Sequence, residues 1–262
     1  MKVYIPTCDS HLFVIEAFSY FFNKYWGDDF EVKVLGFSEP DFSLPDNFEF
    51  VSMAKEQIGG AQGWSNYLIE YFNSIDDEHF IFGIDDFCII RPFDRSLYNV
   101  LVDELDDSVG RIDLQPSLQY SRDPADVSLY KKFSDFDILE LNQYRSAKTV
   151  DSLYRLTGQF SIWNRKYFLK YLYPNWSPWE WELRGGLMSE GDGYKILGTK
   201  DRWCVLKSEL VSNQYANKIN IHGMYEEDKD VIREMYNDRP EELGNFKDDY
   251  GFLLDDEEEY AN

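Results

Sequence analysis

Basic residues, histidine and cysteine are all scarce in this chain. Its 262 residues hold 26 Lys and Arg against 49 Asp and Glu, with only 3 His, for a formal charge of −23. A protein that acidic has no basic footprint for a phosphate backbone or an anionic membrane, so nucleic acid is not an expected partner. The three cysteines, Cys8, Cys88 and Cys204, are far apart and form no C-x-x-C pair. Neither a disulfide framework nor a zinc site is expected from them, and a reducing, cytoplasmic setting fits best. No apolar run is long and unbroken enough for a membrane span, and the N-terminus reads as a strand, not a secretion signal. Missing too are G-x-x-x-x-G-K-S/T, G-x-G-x-x-G after the first strand-like run, H-E-x-x-H and G-x-S-x-G. P-loop hydrolase, simple dehydrogenase, zincin and α/β-hydrolase chemistry therefore have no local support.

What is abundant is aromatic: 20 Phe, 19 Tyr and 7 Trp, within 44% hydrophobic residues. That is ample for one large core, and a single catalytic-size domain is the expectation. The acid is uneven. Fifteen of the Asp and Glu, but only four of the Lys and Arg, fall in residues 225–262, which end in Asp255-Asp-Glu-Glu-Glu259. The expected organisation is a domain over 1–223, split into halves at 110 and 111, followed by an acidic helical or flexible tail over 224–262.

Hydrophobic spacing predicts strands at Lys2–Ile5, 31–36, 48–53, 79–84 and 87–90, with helices over 10–26 and 62–74. Strands alternating with helices imply a mostly parallel, helix-covered α/β sheet. The second half reads as less regular, with strands at 109–114 and 159–163 and helices at 165–171 and 178–188. In open α/β sheets ligands gather beyond the carboxyl ends of the strands. Thr7, Cys8 and Asp9 follow the first strand, Gln62 to Ser65 open the second helix, and Asp85 and Asp86 follow the fourth strand.

Adjacent acids are common in this sequence, but His79-Phe-Ile-Phe-Gly-Ile-Asp85-Asp86-Phe-Cys-Ile-Ile90 sets two carboxylates in an otherwise apolar run. Unpaired carboxylates are costly there, and the simplest compensation is a divalent cation, Mg²⁺ or Mn²⁺, whose shell is completed by phosphate oxygens and water. The competing reading is a solvated acidic turn.

Together these residues make the chain resemble the GT-A-fold glycosyltransferases. The resemblance is carried by the first strand–helix unit with Thr7 and Asp9, by Gly63-Trp64-Ser65, by Asp85-Asp86 in the place of the DxD motif, and by two later segments. These are Thr157-Gly-Gln-Phe-Ser-Ile-Trp163 with its following helix, and Ser177-Pro-Trp-Glu-Trp-Glu182, which look like acceptor-side segments of bacterial and viral members. The resemblance implies a GT-A-like fold, a nucleotide-sugar donor, with a UDP-sugar favoured, and a glycan or glycolipid acceptor. It places a metal on Asp86, with Asp85 at the metal, ribose or donor sugar, and Thr7, Asp9, Trp64 and Ser65 on the donor side. The acids here are adjacent where the family's motif spaces them, which leaves open which carboxylate meets the metal. The same resemblance implies a third metal ligand near the C-terminus, for which His222 is the candidate, while Lys218 beside it is placed to meet the diphosphate.

Ser177, Pro178 and Glu180 also fit a capping box. Glu182 has no such employment, and an apolar setting among Trp176, Trp179 and Trp181 would raise its pKa toward that of a general base. Glu182 is preferred to Glu180 as the base, which favours inversion. Trp163 and Trp179 are the acceptor-side aromatics, against the alternative that they fill the core. His11 and His79 fall in helix and strand patterns and are assigned no role. The rival functions are a sugar-phosphate nucleotidyltransferase and a non-catalytic carbohydrate-binding or scaffold protein. No heptad seam is visible, and the oligomeric state is not indicated.

Overall fold

A computed structural model of the chain describes residues 1–118, 124–144, 154–211, 218–221 and 223–244. Its centre is a nine-stranded sheet in the order β3-β2-β1-β4-β9-β6-β10-β8-β7. The first four of these are β1 (Val3–Pro6), β2 (Val32–Gly36), β3 (Phe48–Ser52) and β4 (His79–Phe82), and they run parallel, with Val3 opposite both Val32 and Ile81. β9 (Ser161–Asn164) lies antiparallel between β4 and β6 (Val109–Asp113). β10 (Lys195–Lys200) is parallel to β6, and β8 (Asp137–Leu141) and β7 (Val127–Lys132) complete the edge in antiparallel pairs. A separate ribbon pairs β5 (Phe87–Ile89) with β11 (Lys207–Glu209).

Period-two alternation sorts the strand side chains into two cores. Val3, Ile5, Val32, Val34, Ile81 and Ile162 point to one face, under α1 (Val14–Tyr25), α3 (Arg95–Val102) and a C-terminal helix at Glu226–Met235. Tyr4, Leu35, Phe80, Phe82 and Trp163 point to the other, under α2 (Trp64–Ser74), α4 (Arg165–Lys170) and a helical run over 178–188. All four residues of β1 are buried, as a strand covered on both faces requires. The α/β class expected from the sequence is the class observed. The second half holds more strand than its pattern suggested, because β7, β8, β10 and β11 are short and carry charged residues that interrupt the alternation.

One local difference bears directly on function. The helical pattern from residue 10 does not begin as an α-helix. Asp9–His11 form a single 3₁₀ turn, and α1 starts at Val14. The three residues after β1 are thus kept at the sheet's edge, where ligands collect.

The acidic segment is joined to the body through its helix. Asp228 is fully buried, receiving bonds from Lys24 Nζ and the Tyr25 hydroxyl, while Ile232 and Tyr236 enter the first core and the Tyr236 hydroxyl donates to Phe13 O at 2.6 Å. Residues 245–262, including the terminal acid block, lie outside the described residues. Among the described residues no helix is long and apolar enough to cross a membrane. If the C-terminal helix is docked as described, Ile232→Ala leaves a cavity and lowers the unfolding free energy by about 2–5 kcal/mol in urea titration. A change below about 0.5 kcal/mol, the size of a surface substitution, would show that the helix does not belong to the core.

Candidate active site

The carboxyl ends of β1, β4 and β6 open on the same edge of the sheet, and the charged residues gather there. β1 delivers Thr7, and the 3₁₀ turn after it delivers His11. The turn between β4 and β5 delivers Asp85 and Asp86. Asp85 is 6% exposed, and its Oδ2 accepts from the Thr7 hydroxyl at 2.6 Å. His11 Nδ1 lies 3.5 Å from Asp86 Oδ1 and 3.9 Å from Asp85 Oδ2. One ligand atom from each of the three lies within 4.8 Å of the others. The neighbouring Asp85 and Asp86 carboxylates push the His11 pKa up to about 10, against the opposing effect of burial. Burial raises the Asp85 pKa, and the His11 and Thr7 hydrogen bonds oppose it. Two carboxylate oxygens and an imidazole nitrogen at this spacing fit a borderline divalent cation such as Mn²⁺, and the carboxylates alone fit Mg²⁺. Without a cation, protonated His11 balances part of the acid.

His11 is the residue that sequence reasoning set aside, through assigning it to the helix that begins only at Val14. The signal was present: it is the fourth residue beyond Thr7 on the same strand-end segment. His222, the candidate third ligand, lies outside the described residues.

A single residue, Gly158, connects the acid turn to Glu182 through its backbone. Ile84 N–H donates to Gly158 O at 3.0 Å, and Gly158 N–H donates to Glu182 Oε1 at 2.7 Å. Glu182 opens onto the site from a π-helical stretch, Trp181–Gly185, set between the short helical turns Pro178–Glu180 and Gly186–Met188. Extra-residue turns of this kind recur at functional sites because they re-aim side chains. The neighbouring Trp181 is fully buried, its ring 5.4 Å from Trp163 and 5.5 Å from Trp64, so Glu182 is fixed by the packing of the residue before it. Burial raises the Glu182 pKa, against hydrogen bonds from Gly158 and Thr157 and the charges of Arg111 and Lys207. Glu180 closes the capping box instead: Ser177 N–H donates to its Oε2 at 3.1 Å, its own N–H donates to Ser177 Oγ at 3.3 Å, and Arg184 pairs with it at 3.1 Å.

Lys207 was not foreseen. Half-buried on β11, it is pushed down to about 7 by burial, against the attraction of Asp113, Glu209, Glu182 and Asp86. It thus lies within electrostatic range of both the acid turn and the candidate base. No motif marks it, because β11 is reached only through long-range pairing with β5.

Other expected residues lie elsewhere. Trp163 is corrected from the acceptor side to the core: it has no exposed surface and is packed by Tyr167, Phe168 and Trp181. Ser65, also fully buried, bonds both ways with the Trp176 backbone and so braces the 178–188 run; it offers no surface to a donor. Trp64 is half-buried against Trp181. Trp179 is 61% exposed and open to a ligand. Asp9 accepts from the Ser38 N–H at 2.9 Å and the Ser38 hydroxyl at 3.0 Å, tying the β1 end to the β2 end. Lys218 is half-buried next to Ile219, which bridges Val211 and Leu243.

No family model and no curated protein matches this chain. Among solved structures it is similar to TarS of S. aureus, at 13% identity and TM-score 0.48, over 98% of this chain and 46% of that one. It is similar also to a mannosyltransferase of Pyrobaculum calidifontis in complex with GDP-Man and Mn²⁺, at 16% identity and TM-score 0.41, over 74% of this chain and 53% of the other. A third likeness is to CMP:2-keto-3-deoxy-manno-octonic acid synthetase complexed with CTP, at 15% identity and TM-score 0.40, over 75% of this chain and 88% of that one. This chain spans about half the length of the first two. At such distances its chemistry has to be read from its own residues.

His11 supplies a direct check on the geometry. With a folded pKa near 10 against the ordinary 6.5, its contribution to stability is fully present below about pH 6.5 and is lost as pH rises through 10. In metal-free protein its ring protons should show no titration through neutral pH by NMR, whereas in Asp86→Asn the midpoint should fall toward 6.5. An unaltered midpoint in that variant would show that His11 does not face Asp86.

Proposed function

We propose that this protein is a metal-dependent glycosyltransferase that moves a sugar from a nucleoside diphosphate sugar to a hydroxyl of a glycan or glycolipid precursor, with inversion. The observation that carries the reading is the His11–Asp85–Asp86 cluster at the strand ends, linked to Glu182 through the backbone of Gly158. Asp85 and Asp86, with His11, would hold Mn²⁺ or Mg²⁺, which when bound neutralises charge on the leaving diphosphate. Thr7 fixes the rotamer of Asp85 and holds its carboxylate in place. Glu182, destabilised as an anion by burial, takes the proton of the acceptor hydroxyl. The acceptor oxygen then bonds to the anomeric carbon as the bond from that carbon to the phosphate oxygen breaks on the opposite face. Lys207 and Lys218 are the cations available to the diphosphate, and Lys207 has the shorter reach, since it already interacts with Asp86 and Glu182. Trp179 offers an exposed aromatic face to an acceptor ring.

Calorimetric titration with UDP, GDP and CDP tests the donor site. In the presence of Mn²⁺ one nucleotide should bind, with affinity falling at least tenfold under chelator or in Asp86→Asn; a folded protein that binds none of the three under either condition would overturn the reading. The base is tested separately. Glu182→Gln should lower kcat by about 10²–10⁴ while leaving nucleotide affinity within twofold, and retained turnover would remove Glu182 from the reaction.

A further inference from the structure

Beside Glu182 lies a second feature with no role in the reading above. A cavity of about 190 Å³ is lined by Arg111, Asp113, Ser117, Tyr154, Thr157 and Gln159, with Leu118 at its apolar wall. Arg111 is 1% exposed and Asp113 is fully buried. Arg111 Nη2 donates to Tyr154 O at 3.3 Å and stands 3.7 Å from Asp113 Oδ2, too far for a hydrogen bond. Among the described residues, Arg111 Nε and Nη1 and Asp113 Oδ2 have no hydrogen-bond partner, nor has Gln115 Nε2, which lies outside the cavity lining. Each such group costs about 1–3 kcal/mol, more when charged, and native proteins keep few of them. Here several share one cavity wall.

Their chemistry restricts the occupant. A guanidinium only donates and a carboxylate only accepts, so a ligand that satisfies both must carry groups that do both, as hydroxyls do. Arg111 and Asp113 balance each other. An anion entering would meet Asp113 and Glu182, and a cation would meet Arg111 and Lys207, so the complementary ligand is uncharged. Its size is bounded as well. A volume of about 190 Å³ corresponds to about six waters at roughly 30 Å³ each, enough for one hydroxylated six-membered ring. It is below the roughly 300 Å³ at which pockets for larger ligands begin. Thr157 both lines this cavity and hydrogen-bonds Glu182, so a ring seated here presents a hydroxyl to the candidate base.

We propose that the Arg111–Asp113 cavity is the subsite for the acceptor's reacting sugar, an uncharged hexopyranose ring whose neighbouring hydroxyls accept from Arg111 and donate to Asp113. This rests on the transferase reading, and its test is arranged to separate the two. Saturation-transfer NMR on the full chain would use methyl glucoside, galactoside and mannoside, with glucuronate and glucose 6-phosphate as anionic counterparts. At least one neutral hexoside should give a signal several-fold above the anionic sugars, and that signal should fall at least fivefold in Arg111→Gln and Asp113→Asn. Should either variant fail to fold by near-ultraviolet circular dichroism, Ser117→Phe, which fills the cavity from a half-buried position, should abolish the signal. No signal from any neutral hexoside, a stronger signal from the anionic sugars, or a signal indifferent to Asp113→Asn and Ser117→Phe would overturn the assignment. Nucleotide binding is measured on the same samples. Nucleotide bound with no hexoside signal defeats the cavity assignment alone, whereas hexoside bound with no nucleotide upholds the cavity's ligand class and defeats the transferase reading.

Discussion

The backbone of Gly158 holds the candidate site together. Its carbonyl takes the N–H of Ile84, one residue before the acid turn, and its N–H reaches Glu182. The two groups that the proposed reaction sets on opposite sides of one bond are thereby tied to the backbone of one residue. Glycine suits the close approach at this position: a Cβ here would lie 3.0 Å from Ile84 Cγ2, tighter than ordinary van der Waals contact, so the Ile84 side chain would have to shift slightly. The carboxylate's hydrogen bond to a backbone N–H also explains how Glu182 tolerates its burial. One charge-assisted bond offsets part of the desolvation cost without neutralising the group.

The aromatic surplus has its use in the layer beneath that peptide. Phe72, Phe80, Phe82, Phe168, Trp163 and Trp181 form a continuous set of edge and tilted contacts on one face of the sheet. Rings are stiff and have few rotamers, so a floor built from them leaves little room for the 178–188 run to shift. Arg155, fully buried, adds a polar clamp: it bonds Ser189 Oγ at 3.2 Å, pairs with Asp192 at 3.2 Å, and reaches Tyr194 O at 2.8 Å. Since Arg155 is two residues before Thr157, the same clamp locates the end of the 178–188 run and the turn that carries Thr157 and Gly158. Packing sets the position of Glu182, and hydrogen bonding sets its aim.

How much of this was legible in the sequence follows from range. The N-terminal strands and helices were readable because their periodicity is local, and β1 to β4 fall where the pattern placed them. Asp85 and Asp86 were readable because two carboxylates in an apolar run violate that pattern. His11 was lost to an overextended helix, an error of four residues at the least reliable part of any periodic reading. Arg111, Asp113 and Lys207 were invisible for a different reason. Each sits in a short strand whose partners are distant in sequence, as with Arg111 opposite Trp163 and Lys207 opposite Ile89, and a charge becomes informative only once its neighbours are known. Trp163 shows the opposite failure: a tryptophan in a promising segment proved to be core, as most large aromatics are.

The charge balance of the candidate site bears on the proposal that a cation binds there. Asp85, Asp86, Asp113 and Glu182 face His11, Arg111 and Lys207, and Lys207, held near 7 by its burial, carries only part of a charge at neutral pH. The resting site is therefore slightly acidic within a chain of formal charge −23. A bare nucleoside diphosphate would approach against that field, and one half-charged lysine offers little to attract it. In the proposed function, two carboxylates set 3.5 and 3.9 Å from a histidine would make the acidity useful, since they would favour the arrival of the diphosphate as its divalent-cation complex. The cation would also displace the proton from His11, freeing the imidazole nitrogen as a ligand. An acidic crevice is thus no obstacle to an anionic donor, provided that donor and cation enter together.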